Sequence, residues 1–165
     1  MRPILSRNSP TCSRRSCYSR FVKNPSSIHP ALGIDHGDAR IGIAATDEFG
    51  ILAYPVETID CAGRDPIARI GELAESRGAR TLVLGMPFRL DGSEGSAAAK
   101  VRAFAARLLL RLPNIPLVFV DETLTTTSAA AKLQQAGRKA RSHKSIIDQA
   151  AAVEILNLWL EERAG

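Results

Sequence analysis

Three acidic residues, far apart in the chain, lie where core-forming elements should carry apolar or neutral side chains. Asp35 follows Leu32 and Ile34 and reads as the end of a buried strand, Glu122 comes just past an apolar run, and Asp148 opens a helical pattern. An ionised carboxylate is costly to bury without a partner, and clustered carboxylates also repel one another. A divalent cation removes both costs. The three acids together therefore predict a metal site.

The predicted metal is Mg²⁺ or Mn²⁺. Carboxylate oxygens are the hard ligands that these ions prefer. A softer metal would need nitrogen or sulfur ligands, and the chain offers three scattered histidines and no CxxC or HExxH motif. Each acid taken alone could equally be a helix cap, a turn residue or half of an ion pair.

The elements that must carry these acids can be predicted from the apolar spacing. Asp148 is followed by Ala152, Ile155 and Trp159 at intervals that place all four side chains on one face of a helix, which is predicted at about Lys144 to Glu162. Strand-like runs separated by turn residues are predicted at Leu32 to Asp35, Ile41 to Thr46, Ile51 to Ile59, Thr81 to Leu84 and Leu117 to Val120.

Further helices are predicted from Ile67 to a stop at Gly78, around Val101 to Leu108, and at Thr125 to Ala136. The order of elements predicts an α/β fold with a mixed five-stranded sheet, in which three antiparallel strands come first and two parallel strands follow. The DGSEG stretch at 91–95 is expected to make a turn and begin the second helix. Trp159 is expected in the core.

The first part of the chain differs in composition from the rest. The chain carries 22 basic and 17 acidic groups, and the first 34 residues hold six of the basic groups and none of the acids. The remainder therefore has a net charge of −1, so the basic balance of +5 comes from this segment. We expect residues 1–30 to be a disordered tail or a targeting leader, and residues 31–163 to form one domain. A misassigned upstream start would leave a similar sequence.

The expected location is the cytoplasm, or a mitochondrion or plastid if residues 1–30 are a transit peptide. Three unclustered cysteines, Cys12, Cys17 and Cys61, argue against a disulfide framework and fit a reducing compartment. No run of 18 apolar residues occurs, so no membrane span is predicted. The sequence does not predict an oligomeric state.

Four motifs resemble the YqgF/RuvX family in order and spacing. They are GIDHGDARIGIAATD, LVLGMPFRLDGSEG, VDETLTT and the basic stretch that leads to IIDQAAAVEIL, and the resemblance covers roughly residues 31–162. The family consists of RNase H-like proteins described as pre-16S rRNA nucleases and related to Holliday junction resolvases. The resemblance implies an RNase H-like fold and metal-dependent hydrolysis of phosphodiester bonds, in which two metal ions can activate a water and stabilise the leaving oxygen.

The resemblance also implies that Asp35, Glu122 and Asp148 are the catalytic and metal-binding residues. Asp121 competes with Glu122 for the middle position, and strand alternation would point the two in opposite directions. The chain departs from the family at Thr123, where an arginine is usual, and at Ser145, where a glycine is usual. If that arginine contacts a phosphate, a charge-assisted bond is lost here.

A basic cluster just before Asp148 is the predicted contact to nucleic acid, with precursor ribosomal RNA as the expected partner. It could also be ordinary solvated surface. Because aromatic residues are few, recognition of backbone and shape is expected rather than base stacking. The predicted nucleic-acid-binding residues are Arg138, Lys139, Arg141 and Lys144.

Three other functions fit parts of the pattern. A DNA junction resolvase would use the same carboxylates. A noncatalytic nucleic-acid-binding or transcription-related protein could keep the fold, although the presence of all three acids disfavours it. A sugar-kinase or actin-like ATPase also carries an acid and glycine at its first strand, but its two similar halves need a longer chain than 165 residues.

Overall fold

The computed structural model of the chain describes residues 28–89, 91–121 and 142–164. In these ranges the chain forms five strands and three helices. In chain order they are β1 (Ala31–His36), β2 (Arg40–Thr46), β3 (Ala53–Asp60), α1 (Pro66–Ser76), β4 (Thr81–Met86), α2 (Ser96–Arg111), β5 (Leu117–Asp121) and α3 (Ser142–Ala164).

The strands form one mixed sheet in the order β3-β2-β1-β4-β5. Strand β1 pairs antiparallel with β2, and β2 pairs antiparallel with β3. On the other side of β1, β4 and β5 add in parallel. This is the predicted α/β arrangement of three antiparallel strands followed by two parallel ones, and the prediction is confirmed.

Two hydrophobic layers cover the sheet. The first, which we call the α1–α2 face, joins alternate strand residues such as Leu32 and Ile43 to the buried sides of α1 and α2. The second, the α3 face, joins the intervening strand residues to α3. Its buried members are Ile28, Ala31, Ala44, Val83, Val120, Ala152, Ile155, Leu156 and Trp159. Because strand side chains alternate between faces, a residue's position along its strand determines which layer it enters.

The helix ends follow their local sequence signals. At the start of α1 the Asp65 side chain accepts a hydrogen bond from the Ile67 backbone N–H, and Pro66 occupies the first turn. The chain leaves that helix through Gly78, whose φ of 61° favours glycine. The predicted turn at residues 91–95 is also present: Gly92 has a φ of 77°, and α2 begins at Ser96.

The prediction that β3 begins at Ile51 is wrong, because the strand begins at Ala53. The Asp47 carboxylate accepts hydrogen bonds from the backbone N–H groups of Ile51 and Leu52, at 2.7 and 3.2 Å. These bonds hold both residues in the connection after β2, where their side chains are exposed. The apolar side chains suggested a strand, whereas the carboxylate determines the backbone path.

Several predictions fall outside the described residues. They are the short helix at Thr125 to Ala136, most of the basic cluster before Asp148, and nearly all of the expected 1–30 segment. None of the helices in the described ranges has the length and apolar character needed to cross a membrane. Trp159 is 1% exposed, so its predicted place in the core is confirmed.

Candidate active site

Asp35 lies near the end of β1 with its side chain on the α3 face. A Cβ placed on Gly33, two residues earlier, would meet Leu156 and the Ala152 carbonyl of α3. Alternation along the strand puts Asp35 on that same side. Directly across the antiparallel ladder its partner is Gly42 of β2. Asp35 is partly buried, as expected for an acid at the edge of a core.

Gly42 is where α3 comes down onto the sheet. A Cβ on Gly42 would lie 1.9 Å from the backbone carbonyl oxygen of Asp148, a separation that no real side chain could adopt. The absence of a side chain at Gly42 therefore lets the helix backbone touch the strand. Since Gly42 also pairs with Asp35, the structure brings the first-strand acid and the helix acid to the same place on the α3 face.

Arg40 of β2 stands beside this pair of acids. Its Nε atom lies 3.1 Å from Oδ2 of Asp148, and the two side chains are 35% and 22% exposed. The geometry is that of an ion pair without an aligned hydrogen bond: Oδ2 is buried, and no group in the described part of the chain donates a hydrogen bond to it. A buried anionic oxygen without a donor is costly unless something else neutralises it.

These residues fit a hard divalent cation. Asp148 presents an oxygen that has no hydrogen-bond donor among the described residues, and Asp35 supplies a second carboxylate on the same face. Oxygen donors of this kind suit Mg²⁺ or Mn²⁺. Within residues 28–89, 91–121 and 142–164, no three acidic, histidine or cysteine side chains come together as a metal-binding group. The third predicted ligand, Glu122, lies outside those ranges.

Asp121 belongs to the opposite side of the sheet. In β5 the residues Leu117 and Phe119 pack on the α1–α2 face, and Val118 and Val120 pack on the α3 face. Alternation therefore puts Asp121 on the α1–α2 face, away from Asp35 and Asp148. This placement disfavours Asp121 as the middle ligand, and the choice of Glu122 stays a prediction.

His36, although adjacent to Asp35, also lies on the α1–α2 face. Its ring is 4.5 Å from the ring of Phe104 of α2, measured between centroids. Burial lowers the pKa of His36 below its ordinary value, against a smaller raising influence from Asp38. The imidazole is thus directed away from the two acids, which agrees with a site that does not use it.

A cavity of about 250 Å³ opens next to His36, on the α2 side of the same sheet edge. At its rim the Lys100 ammonium contacts both oxygens of Asp38 at 2.8 Å, and this bond lowers the pKa of Asp38. The cavity is lined by His36, Gly37, Asp38, Pro87, Ala97, Lys100 and Val101. The cavity lies on the α1–α2 face with His36, whereas Asp35 and Asp148 lie on the α3 face. The cavity is therefore separate from the paired acids.

The predicted nucleic-acid contacts Arg138, Lys139 and Arg141 lie outside the described residues. Lys144 falls within α3, but the description covers its backbone and not its side chain. These four residues stay predictions.

Sequence reasoning missed Arg40. A signal for it exists in the motif, because Arg40 and Gly42 are two residues apart on one strand and so share a face. Once Gly42 is taken as the point of close approach, the neighbouring charged residue on the same face becomes a candidate. What the sequence could not provide is the partner, because Asp148 lies on a distant element.

Comparison with known proteins identifies relatives of this chain. A model of the family RuvX, described as Holliday junction resolvase, matches residues 29–162. A curated protein from Nocardioides sp. is 50% identical over 139 residues, covering 81% of this chain and 88% of the relative. Another from Nocardia farcinica is 46% identical over 140 residues, covering 81% and 78%. Both carry the name "Putative pre-16S rRNA nuclease".

Among solved structures, RuvC of T. thermophilus in complex with a Holliday junction substrate shares the architecture. The TM-score is 0.52 at 16% sequence identity, and the match covers 82% of this chain and 95% of that chain. At this identity the likeness concerns the fold alone. It confirms the predicted RNase H-like fold.

Proposed function

This chain belongs to the RuvX family, and from that membership we propose that it is a metal-dependent endonuclease that hydrolyses phosphodiester bonds. Its proposed reaction is the 5′-end maturation of pre-16S ribosomal RNA. The observation that carries the proposal is the meeting of Asp35 and Asp148 at Gly42, where a buried carboxylate oxygen finds no hydrogen-bond donor in the described ranges of the chain. The names of the curated relatives support the choice of RNA.

In the proposed mechanism Asp35 and Asp148 would hold the metal. Glu122 is the proposed third ligand, because alternation in β5 puts its competitor Asp121 on the α1–α2 face, away from Asp35 and Asp148. When bound, Mg²⁺ or Mn²⁺ supplies a water of lowered pKa and neutralises charge on the leaving oxygen. The chain's own contribution is to fix the two carboxylates on rigid elements, a strand and a packed helix.

The charge of the acids means that a phosphodiester could approach only when a cation is bound. Two or three carboxylates at one place repel a phosphate until their charge is neutralised. The proposed basic contacts at Arg138, Lys139, Arg141 and Lys144 would hold phosphates on either side of the cut. Nucleic acid is therefore the proposed partner, with cleavage in the cytoplasm, or in an organelle if residues 1–30 direct the protein there.

A second candidate is cleavage of four-way DNA junctions, which the description of the family model favours. The carboxylates that hydrolyse an RNA phosphodiester would serve equally for DNA. The two functions differ in the shape of the nucleic acid that binds, so a direct comparison of substrates separates them.

The test is a cleavage assay with the full chain. Precursor 16S ribosomal RNA and four-way DNA junctions are each incubated with Mg²⁺, Mn²⁺ or EDTA. We expect metal-dependent cutting of the RNA, and a loss of at least about 100-fold in Asp35→Asn, because changes to residues that only support metal ligands already cost about 10- to 100-fold. Asp65→Asn is the matched control, since asparagine can also cap α1 and should leave cutting unchanged.

Equal cutting by Asp35→Asn and by the unaltered chain would sink the assignment of the site. Preferential cutting of the DNA junction would replace the RNA reaction by the second candidate. Binding of either nucleic acid with no cutting under any metal condition would support the noncatalytic alternative.

A further inference from the structure

Arg40 is positioned at the proposed site by the same hairpin that presents Asp35. The Gly37 backbone N–H donates to the Arg40 carbonyl at 3.0 Å, which closes the turn between β1 and β2. A Cβ on Gly37 would lie 2.6 Å from that carbonyl oxygen, so the turn is tight. The backbone of Arg40 is thereby fixed relative to β1, and its side chain starts on the face that carries Asp35 and Asp148.

The contact between Arg40 and Asp148 is electrostatic rather than directional. Arginine usually binds a carboxylate through two parallel hydrogen bonds. Here Nε approaches Oδ2 to 3.1 Å, yet Oδ2 has no hydrogen-bond donor in the part of the chain described. Because the contact lacks the paired hydrogen bonds of a bidentate arginine–carboxylate pair, Arg40 can exchange Asp148 for another partner more readily.

A guanidinium at this distance and a metal ion would compete for the same carboxylate oxygen. A cation bound to Oδ2 would repel the fixed positive charge of Arg40. Arginine cannot lose that charge, because its guanidinium stays protonated in proteins. Metal binding at Asp148 therefore requires Arg40 to move, and the partly exposed side chain has solvent on one side to move into.

We propose that Arg40 neutralises Asp148 in the metal-free protein, yields that carboxylate to the metal, and then binds a phosphate of the nucleic acid. This inference rests on the proposed nuclease function. It assigns Arg40 one role in the metal-free protein and another in the metal-bound protein. A displaced guanidinium beside the site is well suited to a phosphate, since its planar array of donors matches phosphate oxygens. Arg40 is thus a positioning residue before metal binding and a substrate contact after it.

The first measurement is the affinity of the full chain for Mn²⁺ alone, without nucleic acid, by calorimetry. We expect Arg40→Gln to bind Mn²⁺ about fivefold more tightly than the unaltered chain, because a partly exposed ion pair no longer opposes the metal. Arg40→Met also lacks the charge but keeps the apolar part of the side chain, so it should bind Mn²⁺ as tightly as Arg40→Gln. It replaces Arg40→Gln if that variant does not fold. Arg80→Gln is the matched control, because Arg80 is exposed and lies just before β4, at the opposite end of the sheet.

The second measurement is how binding of the nucleic acid that the protein cuts depends on salt, with Ca²⁺ in place of Mn²⁺ and separately in EDTA. A residue that contacts a phosphate adds about one to the slope of log affinity against log salt. In Ca²⁺ we expect Arg40→Gln to lower that slope by about one. In EDTA, where Arg40 faces Asp148, the slope should not change.

Unchanged or weakened Mn²⁺ binding in both neutral variants would overturn the inference while leaving the nuclease function intact, provided that the unaltered chain cuts its substrate. The inference would also be overturned if Arg40→Gln changed the salt slope by the same amount in Ca²⁺ and in EDTA. If the unaltered chain binds no Mn²⁺ and cuts nothing, the proposed function fails and this inference fails with it.

Discussion

At the scale of single residues, Gly42 has more influence on the site than its lack of a side chain suggests. It pairs with Asp35 across the ladder and lies under the Asp148 carbonyl, so it touches both acid-bearing elements. The clash that a Cβ would cause is with backbone atoms, which cannot rotate away as a side chain can. Any larger residue at position 42 must push α3 off the sheet.

We therefore expect Gly42→Ala to lower the free energy of unfolding by about 1–3 kcal/mol or more, the range of overpacked cores. It should also reduce cleavage, because Asp148 moves with the helix. Gly63→Ala is the matched control: a Cβ there meets nothing within 4 Å, and the change in stability should stay below about 1 kcal/mol. Urea denaturation of the three proteins measures the effect. Equal stability of the two variants would mean that α3 does not rest on Gly42.

The candidate acids can be identified from the sequence, and their role as metal ligands stays a prediction. At Asp35 and at Asp148 an acid interrupts an apolar pattern. The pairing of Arg40 with Asp148 could not be predicted, because it depends on how α3 lies across β2. The face on which Asp121 lies could be assigned only from the observed packing of Val118 and Val120, and the choice of Glu122 stays a prediction.

At the scale of elements, α3 completes the α3 face and carries one of the proposed ligands. Its residues Ala152, Ile155, Leu156 and Trp159 are all at most 1% exposed. Leu156 lies against Gly33, the residue two positions before Asp35. The same packing that stabilises the fold thus determines where Asp148 sits.

Leu156→Ala should destabilise the protein by about 2–5 kcal/mol, the cost of removing a fully buried leucine side chain. The matched change Leu110→Ala, in α2, removes a side chain that is 84% exposed and should alter stability by less than about 0.5 kcal/mol. Thermal unfolding followed by circular dichroism distinguishes the two. A similar loss in both variants would contradict the packing described for α3.

The ends of elements could be predicted where a glycine or a turn sequence marks them. Gly78 ends the first helix, and the turn at residues 91–95 precedes the second. The start of β3 was not predictable from apolar character, because Asp47 holds Ile51 and Leu52 in a turn. The strand also contains Pro55 and a register shift opposite Ile43 and Ala44, which its edge position tolerates.

At the scale of the whole molecule, ionisable groups on both sides of the sheet make the folded state more stable at neutral pH than at acidic pH. His29 is buried between the β2 end and Trp159, with Nδ1 3.1 Å from the Thr46 hydroxyl. Burial is the main cause that lowers the His29 pKa below 6.5; Arg163 lowers it further and Asp47 raises it. On β3, the hydrogen bond from Arg69 lowers the pKa of Glu57.

These shifts give stability a defined pH dependence. A histidine whose folded pKa lies below its unfolded value of 6.5 stabilises the fold fully above that pH. That contribution declines as the pH falls below 6.5 and through the folded pKa. Glu57 acts in the same direction at lower pH, because its contribution is present above 4.5 and is lost as the pH falls through its lowered pKa.

We expect the free energy of unfolding, measured in urea between about pH 8 and pH 5, to be level above pH 6.5 and to fall below it. His29→Gln should flatten the decline between pH 6.5 and pH 5, even if it lowers stability throughout, because glutamine does not titrate. His36→Gln should flatten it further, since burial lowers the pKa of that histidine as well. A decline of the same steepness in both variants would show that other groups cause it.

The seating of a helix main chain directly on a strand has a consequence for ion selectivity. Peptide atoms in contact do not yield, so an ion bound at the proposed site between Asp35 and Asp148 would have to accept a span that only the carboxylate torsions can adjust. Selection by ionic radius then becomes a property of the scaffold more than of the ligands. Redesign toward a larger ion would have to begin beneath the helix, at position 42, before any ligand is exchanged.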